Sequence, residues 1–377
     1  MSDLDPVHDA VERLEWAERG EDETPLSRWR EFSRRTALTG GAAGMAALLL
    51  QACGGDDDNG ASAQGGGAAA DIFGSDRELN FVFVNHVTTN PFFVPTKYAA
   101  EDACKLLGCK YQWTGSESSN VNEMVNAVNS AITAKADGIA VSLVDLKAFN
   151  GPVQKALDAG IPVVGYNADA ADNARLSYIG QDLFLSGQEM GKRIVDLVGS
   201  GPVALFIATP GSLNIQPRID GAQDTIKKSG GGITTDVIAT GAAVPKELST
   251  IDAYYQGHKD VKGMFAVDAG STQSLAQVIK KYKLRDNDVK GGGYDLTPVT
   301  QQLLADDQID FTIDQQPYLQ GFFPVLELYL YKVSETLTGI ADINTGLKFL
   351  DSKTVVPYNN TKTRYEGTSS AAGVKQS

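Results

Sequence analysis

Residues 138–167 read GIAVSLVDLKAFNGPVQKALDAGIPVVGYN. The first part, residues 138–143, is a short apolar run that is typical of a buried strand, and residues 152–159 have the spacing of a helix. A second buried strand is predicted at residues 161–166. Short apolar strands that alternate with helices form parallel βαβ units. This stretch therefore predicts an α/β fold built on a parallel sheet.

The same alternation of strand and helix extends in both directions. Towards the amino terminus we expect strands at residues 79–84 and 110–114 and helices at 95–107 and 121–136. Beyond Gly180 the pattern starts again, with strands near residues 203–208, 235–239, 264–267, 291–294 and 311–313 and helices near 183–198, 219–228, 248–256, 271–281 and 299–305. Two doubly wound sets of βαβ units predict two similar lobes. Open parallel sheets bind ligands at the carboxyl ends of their strands, so a small molecule enclosed between the lobes is expected.

The composition excludes several classes of protein. The chain has 377 residues, of which 42% are hydrophobic and 21% charged, values typical of a globular protein with two lobes. Its formal net charge of -14 argues against a nucleic-acid surface, which needs clustered Lys and Arg. With three cysteines and three histidines in the whole chain, we predict no metal site and no cofactor.

The amino-terminal segment has the parts of an export signal. Arg34 and Arg35 precede a Gly/Ala/Leu run that ends in Leu50-Gln51-Ala52-Cys53, and this resembles a bacterial twin-arginine signal with a lipobox. The resemblance implies a signal peptide at residues 1–52, with Cys53 acylated and the protein anchored to the outer face of the cell membrane.

Two features depart from the usual export signal. Ala37 stands where the twin-arginine pattern usually has Phe, and the stretch before Ser33 is long and acidic. The true start of translation therefore stays open, and the alternative is an uncleaved membrane anchor. Residues 53–76 are rich in Gly, Ala and Asp and predict a flexible tether.

Polar and aromatic residues follow the predicted strands in a recognisable order. The segments are Asn90-Pro91-Phe92-Phe93, residues 160–167, Ile179-Gly180-Gln181-Asp182, residues 265–268, Gly293-Tyr294-Asp295 and residues 313–317. Through these segments the chain resembles the ribose-binding-protein-like, or type I, periplasmic binding proteins of sugar ABC transporters. The resemblance runs from about residue 79 to about residue 356.

This resemblance implies a three-segment hinge between the lobes. The amino-terminal lobe would hold residues 77–181 and 316–349, and the carboxyl-terminal lobe residues 182–315 and 350–360. The chain would cross between lobes near Gln181-Asp182, near Gln315-Gln316 and near Leu350. Residues 361–377 are polar and predict a frayed tail.

The resemblance also implies the residues that bind the ligand: Asn90, Phe92, Phe93, Asn167, Gln216, Arg218, Asp268, Asp295 and Gln315. A sugar needs flat aromatics against its ring faces and side chains such as Asp, Asn, Gln and Arg for its hydroxyls. Alternatives remain for several of them. The two phenylalanines could be core residues, Arg218 a structural arginine, and Asp268 and Asp295 helix caps.

Two departures from the family pattern bear on the ligand. Ala168 follows Asn167 where the family usually has Arg, and residues 243–245 lack the usual aromatic of the second lobe. We therefore expect a neutral monosaccharide or a sugar alcohol.

Two further sets of side chains, a cysteine pair and a histidine, bear on the fold and on the cleft. Cys104 and Cys109 flank the end of a predicted helix and are either bridged by a disulfide or two buried thiols. His86, just past the first strand, is expected to be structural or to line the cleft.

The function implied by the resemblance is that of an extracytoplasmic solute-binding protein, not an enzyme. It would act as a monomer that delivers a sugar or polyol to the permease of an ABC importer. The chain has no Gly-x-Ser-x-Gly, Walker or GxGxxG motif after a predicted strand, which argues against the enzymes that use them. A repressor with this fold would need a helix-turn-helix before the core. A chemosensory protein that presents the same ligand to a membrane receptor remains open.

Overall fold

The central strands of the protein are mostly apolar and buried, whereas the outer strands are more polar and partly exposed. The computed structural model describes residues 78–334, 340–361 and 363–371. Its strands are β1 (Asn80–Asn85), β2 (Lys110–Gly115), β3 (Gly138–Val141), β4 (Val163–Tyr166), β5 (Tyr178–Gly180), β6 (Gly201–Ile207), β7 (Ile233–Ala239), β8 (Gly263–Ala266), β9 (Lys290–Tyr294), β10 (Phe311–Asp314), β11 (Ile343–Asn344) and β12 (Lys348–Leu350).

Helices connect these strands. They are α1 (Val94–Leu107), α2 (Val121–Thr133), α3 (Asn150–Asp158), α4 (Leu183–Val198), α5 (Gln216–Ser229), α6 (Val244–Gly257), α7 (Ala269–Lys281), α8 (Pro298–Ala305), α9 (Leu319–Ser334) and α10 (Val356–Asn360). Proline at the first turn of α1 and glycine after its last turn mark its two ends, as helix physics favours.

The strands form two sheets, one in each lobe. The first has the order β11-β5-β4-β3-β1-β2 and the second β12-β10-β9-β8-β6-β7. In the described residues every pairing is parallel except that of β12 with β10. The prediction of two doubly wound α/β lobes is confirmed.

Both faces of each sheet are covered, which is why the central strands are apolar along their length. Along β1, Phe83 packs in the cluster that includes Leu328 of α9, and Val84 in the cluster that includes Met124 of α2. Successive side chains of a strand point to opposite faces, so β1 contributes to both clusters. Residues that follow the carboxyl ends of central strands, such as Asn167, Asp268 and Asp295, line the space between the two lobes.

The chain passes between the lobes three times, after β5, after β10 and after β11. The predicted third position, near Leu350, is wrong by a few residues. Lys348 and Phe349 pair with Asp314 and Ile313 in the second sheet, so the passage lies at residues 345–347. The turn at Gly346, with φ 96, separates the two short strands, and such short strands leave little pattern in a sequence.

The passages are hydrogen-bonded to one another. Gln181 Nε2 donates to the Gly346 carbonyl oxygen at 3.1 Å, and Thr345 Oγ1 donates to the Gln315 carbonyl oxygen at 2.8 Å. Each connection between the lobes is therefore tied to another by a buried or partly buried hydrogen bond.

The carboxyl-terminal tail is not frayed over its described part. Arg364 pairs with Glu101 at 2.6 Å and with Asp102 at 3.1 Å, and its guanidinium lies 4.2 Å from the ring centre of Tyr98. Residues 363–371 thus dock on α1 of the first lobe. The polar composition of the tail predicted fraying. Composition alone does not show that an acidic and aromatic surface, far away in the sequence, is available to bind Arg364.

Cys104 and Cys109 are two buried thiols with no disulfide between them. The hydrogen bond of Cys104 to Cys109, together with burial, raises the pKa of the Cys104 thiol far above its ordinary value. Disulfide exchange needs a thiolate, which this apolar cluster disfavours. Of the two alternatives, the structure contains the buried thiols.

The export signal, the tether and Cys53 lie outside the described residues. Within the part that is described, no helix combines the length and the apolar character needed to cross a membrane.

Candidate ligand-binding site

A polar cavity of about 330 Å³ lies between the lobes. We call it the main cavity; it is lined by His86, Asn90, Phe92, Phe93, Asn167, Asn214, Ile215, Arg218, Asp268, Ala269, Asp295 and Gln315. A second space of about 400 Å³, the side cavity, shares five of these residues and adds Glu247 and Ser212 among others.

The lobes touch each other around these cavities. The backbone nitrogen of Leu213 in the second lobe donates to the Val144 carbonyl oxygen in the first at 3.1 Å. Ala269, also from the second lobe, packs in the apolar cluster that contains Phe92 and Phe93. A ligand in the main cavity would therefore contact both lobes at once.

The aromatic wall comes from the start of α1. Asn90 Oδ1 accepts a hydrogen bond from the Phe92 nitrogen at 2.9 Å, which fixes the turn and leaves its amide nitrogen as the remaining donor. Phe92 and Phe93 meet edge to face with ring centres 4.7 Å apart. Both rings are buried in the first-lobe core, and both also line the main cavity. Phe92 and Phe93 are therefore core residues and cavity-lining residues at the same time.

His86 bridges the two lobes inside the cavity. Asn214 Nδ2 donates to His86 Nε2 at 3.2 Å, and His86 Nδ1 lies 3.0 Å from Ser142 Oγ. Burial lowers the pKa of His86 to about 4, so the ring is neutral near pH 7. Since Nε2 accepts from the amide, we assign the proton to Nδ1, which donates to Ser142.

Arg218 is both structural and cavity-lining. Its Nη1 donates to the Val267 carbonyl oxygen at 2.9 Å and its Nη2 to Gln181 Oε1 at 3.1 Å, while the Tyr294 ring centre lies 4.0 Å from the guanidinium. The Nε atom is buried and has no hydrogen-bond partner. An unpaired buried donor is costly, and a ligand oxygen in the main cavity would satisfy it.

The first turn of α5 is placed by close packing against α4. A Cβ on Gly187 would lie 2.3 Å from the Arg218 carbonyl oxygen, closer than any real contact. Glycine at this position therefore allows the two helices to approach until Arg218 reaches the cavity.

Asp268 caps α7, which was one of the two alternatives for this residue, and it also lines the main cavity. Its Oδ1 accepts from the Ser271 nitrogen at 2.8 Å and its Oδ2 from the Ala208 nitrogen at 2.9 Å. These bonds hold the carboxyl group at the junction of the main and side cavities.

Asp295 is not a helix cap. Thr297 caps α8 instead, by accepting from the Thr300 nitrogen, while Asp295 Oδ1 accepts from Gln315 Nε2 at 2.7 Å. Burial raises the pKa of Asp295 to about 7 despite the opposing effect of Arg218. Asp295 has φ 73 and Asn167 φ 64, left-handed conformations that Asp and Asn tolerate better than most residues and that are often found at functional sites.

A buried chain of side-chain hydrogen bonds joins the two lobes behind the cavity. Asn167 Nδ2 donates to Gln320 Oε1 at 3.1 Å, and Gln320 Nε2 donates to Gln315 Oε1 at 3.1 Å. Gln315 in turn reaches Asp295. Polar groups buried in such a chain specify one arrangement of the lobes because each depends on its neighbour.

Comparison with known proteins agrees with the two-lobed fold. A model of the periplasmic binding protein domain matches residues 81–332. The chain belongs to the periplasmic binding protein family. It is 53% identical over 305 residues to the xylose/arabinose-binding protein XylF of Sulfolobus acidocaldarius, an alignment that covers 77% of this chain and 75% of that one.

More distant members of the family are also similar to the chain. The ribose import binding protein RbsB of Escherichia coli is 24% identical, with 60% of this chain and 76% of that one covered. The crystal structure of an ABC transporter solute binding protein from Burkholderia graminis, in complex with D-arabinose, superposes with a TM-score of 0.71. That match has 24% identity and covers 75% of this chain and 99% of that one, and it shows the shared fold.

All of the predicted site residues except Gln216 line the main cavity. Gln216 Oε1 accepts from the Gly211 nitrogen and its Nε2 donates to Asp220, so it stabilises the preceding loop. In a helix, residues two apart point about 200° away from each other, so Gln216 and Arg218 could not both face the cavity. Asn214 and Ile215, which precede Gln216, line the main cavity, whereas Gln216 itself does not.

The sequence did not single out two further lining residues, Asn214 and Glu247, or the contact of His86 with the other lobe. Neither Asn214 nor Glu247 directly follows a predicted strand. Glu247 lies in the first turn of α6, close to residues 243–245, which lack the usual aromatic of the family. In the described residues, no group of three His, Cys, Asp or Glu side chains is arranged to hold a metal ion.

Proposed function

We propose that this protein captures a neutral monosaccharide, and specifically a pentose such as xylose or arabinose, for an ABC importer. The observation that carries the proposal is the main cavity, where two phenylalanine rings face Arg218, Asp268 and Asp295 across a space of about 330 Å³. Aromatic faces and side chains that donate and accept in pairs are what a sugar ring and its hydroxyls require. The identity to a xylose/arabinose-binding protein supports the choice of a pentose.

Binding is proposed to close the lobes, with no chemical step. Ligand contacts are divided between the lobes, so they are all made only when the lobes meet, and the ligand shifts the population towards that form. The three passages between the lobes would act as the hinge. The closed monomer is then the form that the permease recognises.

A thermal-shift screen tests the ligand. The purified protein is heated with D-xylose, L-arabinose, D-ribose, D-glucose and xylitol, and with an amino acid and a sugar phosphate as controls. A ligand at a hundred times its dissociation constant adds about 2.7 kcal/mol of stability, so a pentose should raise the melting temperature clearly. Stabilisation by the amino acid or the sugar phosphate, with none by any sugar or polyol, would contradict the proposal.

We also propose that Cys53 carries a lipid that anchors the protein outside the cell membrane. Each buried methylene of an acyl chain contributes about 0.8 kcal/mol, so the acyl chains of a lipoprotein together hold it firmly. Replacing Cys53 with Ser should release the protein from membranes or leave its precursor uncut, as fractionation and labelling with a fatty acid would show. Equal labelling of wild type and Cys53→Ser would show that this cysteine is not the acylated residue.

A further inference from the structure

Glu247 is a buried acid whose position no ligand-binding pattern explains. It has 2% of its surface exposed, lies in the first turn of α6 and lines the side cavity next to Asp268. Its Oε2 atom is buried without any hydrogen-bond partner. A buried carboxyl oxygen left unpaired is costly, and such atoms in native proteins usually have a functional reason.

The protein makes room for this carboxyl group. A Cβ on Gly270, in the first turn of α7, would lie 2.0 Å from Glu247 Oε2. Any larger residue at position 270 would therefore displace the Glu247 carboxyl group from its place against α7, the helix that Asp268 caps. Glycine here allows α6 to bring that carboxyl group up to the first turn of α7.

The two acids hold a single proton between them at neutral pH. Burial, and then the charge of Asp268, raises the pKa of Glu247 to about 9. Asp268 is raised by burial as well, but backbone N–H groups of Ser271 and Ala208 donate to its oxygens and favour its charged form. The proton therefore resides on Glu247, which donates it in a hydrogen bond to Asp268.

Few other charged groups face this pair. His86 is the remaining titratable residue that lines the side cavity, and burial keeps it neutral near pH 7. Lys246 precedes Glu247 on α6, and its side chain lies beside Gly241, where a Cβ would meet its Cγ at 3.1 Å. Among the described residues the side cavity contributes no cation to the pair, whereas Arg218 and Asp295 line the main cavity together with Asp268.

We infer that Glu247 and Asp268, which line the side cavity together, bind one hydroxyl group of the sugar, close to residues 243–245, which lack the aromatic usual in the second lobe of the family. A hydroxyl can donate its hydrogen to an acceptor, and Glu247 Oε2, which is buried without a hydrogen-bond partner, offers that acceptor while the shared proton stays between the two acids. An aromatic ring at this position would recognise a ring face, whereas the acid pair recognises the direction of one hydroxyl. Glu247 thereby becomes a determinant of which sugar is bound.

This inference rests on the proposed function, and calorimetry with D-xylose and L-arabinose between pH 6 and pH 10 tests it. Glu247→Ala should weaken binding about ten- to hundredfold at pH 7, whereas Glu247→Gln, whose amide also donates to Asp268, should stay within about threefold of wild type. Wild type should lose affinity as the pH rises past about 9, and Glu247→Gln should not.

The matched control is Glu327→Gln. Glu327 is also a buried acid, with 7% of its surface exposed and a pKa that burial raises to about 7, but it bonds Ser177 within the first lobe and lines neither cavity. Its substitution should leave the affinity unchanged. Equal affinity of Glu247→Ala and wild type, or the same loss in Glu247→Gln as in Glu247→Ala, would overturn the inference.

Monodeoxy derivatives of xylose locate the hydroxyl. For the derivative that lacks the contacted group, wild type and Glu247→Ala should bind equally, and for the others the ratio between them should persist. An unchanged ratio for every derivative would show that Glu247 acts on the lobe packing rather than on a hydroxyl.

A measurement without ligand separates this inference from the proposed function. The folded pKa of Glu247 lies above its usual 4.5, so the free energy of unfolding should fall as the pH rises from about 4.5 towards about 9. Glu247→Gln lacks this dependence, so its stability advantage over wild type should grow across the same interval. If the free energies of unfolding of wild type and Glu247→Gln changed with pH in parallel, the shared proton would be overturned even if sugars bind. If the two curves diverged but no sugar bound, the proposed function would be overturned, and with it the role of Glu247 in binding.

Discussion

The two walls of the main cavity differ in charge. The first lobe contributes Asn90, Phe92, Phe93, Asn167 and a neutral His86, none of which carries a charge near pH 7. The second lobe contributes Arg218, Asp268 and Asp295, with Glu247 close behind, and all of these are ionisable.

This difference indicates a division of labour in recognition. In the function that we propose, the neutral wall contacts the apolar faces of the sugar ring, where aromatic contact counts most. The ionisable wall would bind the hydroxyls, because hydrogen bonds to charged groups are the stronger ones. Substitutions in the second lobe should therefore cost more affinity, and should make binding depend on pH, while those in the first lobe should do neither to the same extent.

The largest effect is expected for Asp295→Ala. Each charge-assisted hydrogen bond lost from the ligand costs about 1.5 to 3 kcal/mol, or about ten- to hundredfold in affinity. Calorimetry measures the loss, and small-angle scattering should show compaction by a pentose in wild type and little in the variant. Circular dichroism should show an intact fold, and normal binding and closure by Asp295→Ala would mean that the ionisable wall does not include it.

A smaller effect is expected from pH alone. Burial raises the pKa of Asp295 to about 7, so a ligand that binds its carboxylate must displace a proton below that pH. Affinity for D-xylose should fall about tenfold for each unit of pH below 7. The free energy of unfolding of the ligand-free protein should fall as the pH rises from 3.8, the ordinary pKa of the Asp295 carboxyl group, towards about 7. Asp295→Asn should show neither dependence; the same slope in that variant would assign the titration to another group.

On the neutral wall, Phe92→Leu should weaken binding by about 0.5 to 1.5 kcal/mol, the usual contribution of an aromatic contact beyond its area. The loss should be the same at pH 6 and pH 8. A loss as large as that of Asp295→Ala, or one that changes with pH, would show that the two walls do not divide recognition as we propose.

The smallest effect is expected outside the cavity, at the docked tail. Arg364→Ala removes ion pairs with Glu101 and Asp102 that are partly open to solvent, and such pairs contribute about 0.2 to 1 kcal/mol. Chemical denaturation should show a loss of that size with unchanged affinity for D-xylose. A marked change in affinity would mean that the tail takes part in holding the lobes together.

Most of the fold could be predicted from the sequence because buried parallel strands are continuous apolar runs and their helices are periodic. The exceptions have local reasons. The strands β5, β11 and β12 are two or three residues long, too short to form a pattern. Helix α9 contains Pro324 in its interior, which argues against a helix in sequence although the structure accommodates it.

The site was predictable to the extent that it lies at strand ends. Asn90, Asn167, Asp268 and Asp295 each follow a strand, and the carboxyl ends of parallel strands meet at one edge of a sheet. Gln216 does not line the main cavity, although Asn214 and Ile215 just before it do. The sequence does not show in which direction a side chain at the start of the following helix points.

By itself the sequence determined the class of fold, the two lobes and most of the polar residues between them, because apolar periodicity and the order of strand ends are local properties of a chain. The tertiary structure decided which side chains act together and in which protonation state. His86 and Asn214 meet across 128 positions of sequence, and Glu247 meets Asp268 only because α6 packs against a glycine of α7. The physical reason is that burial and the distance between charges, which set a pKa, exist only once distant segments have been brought together.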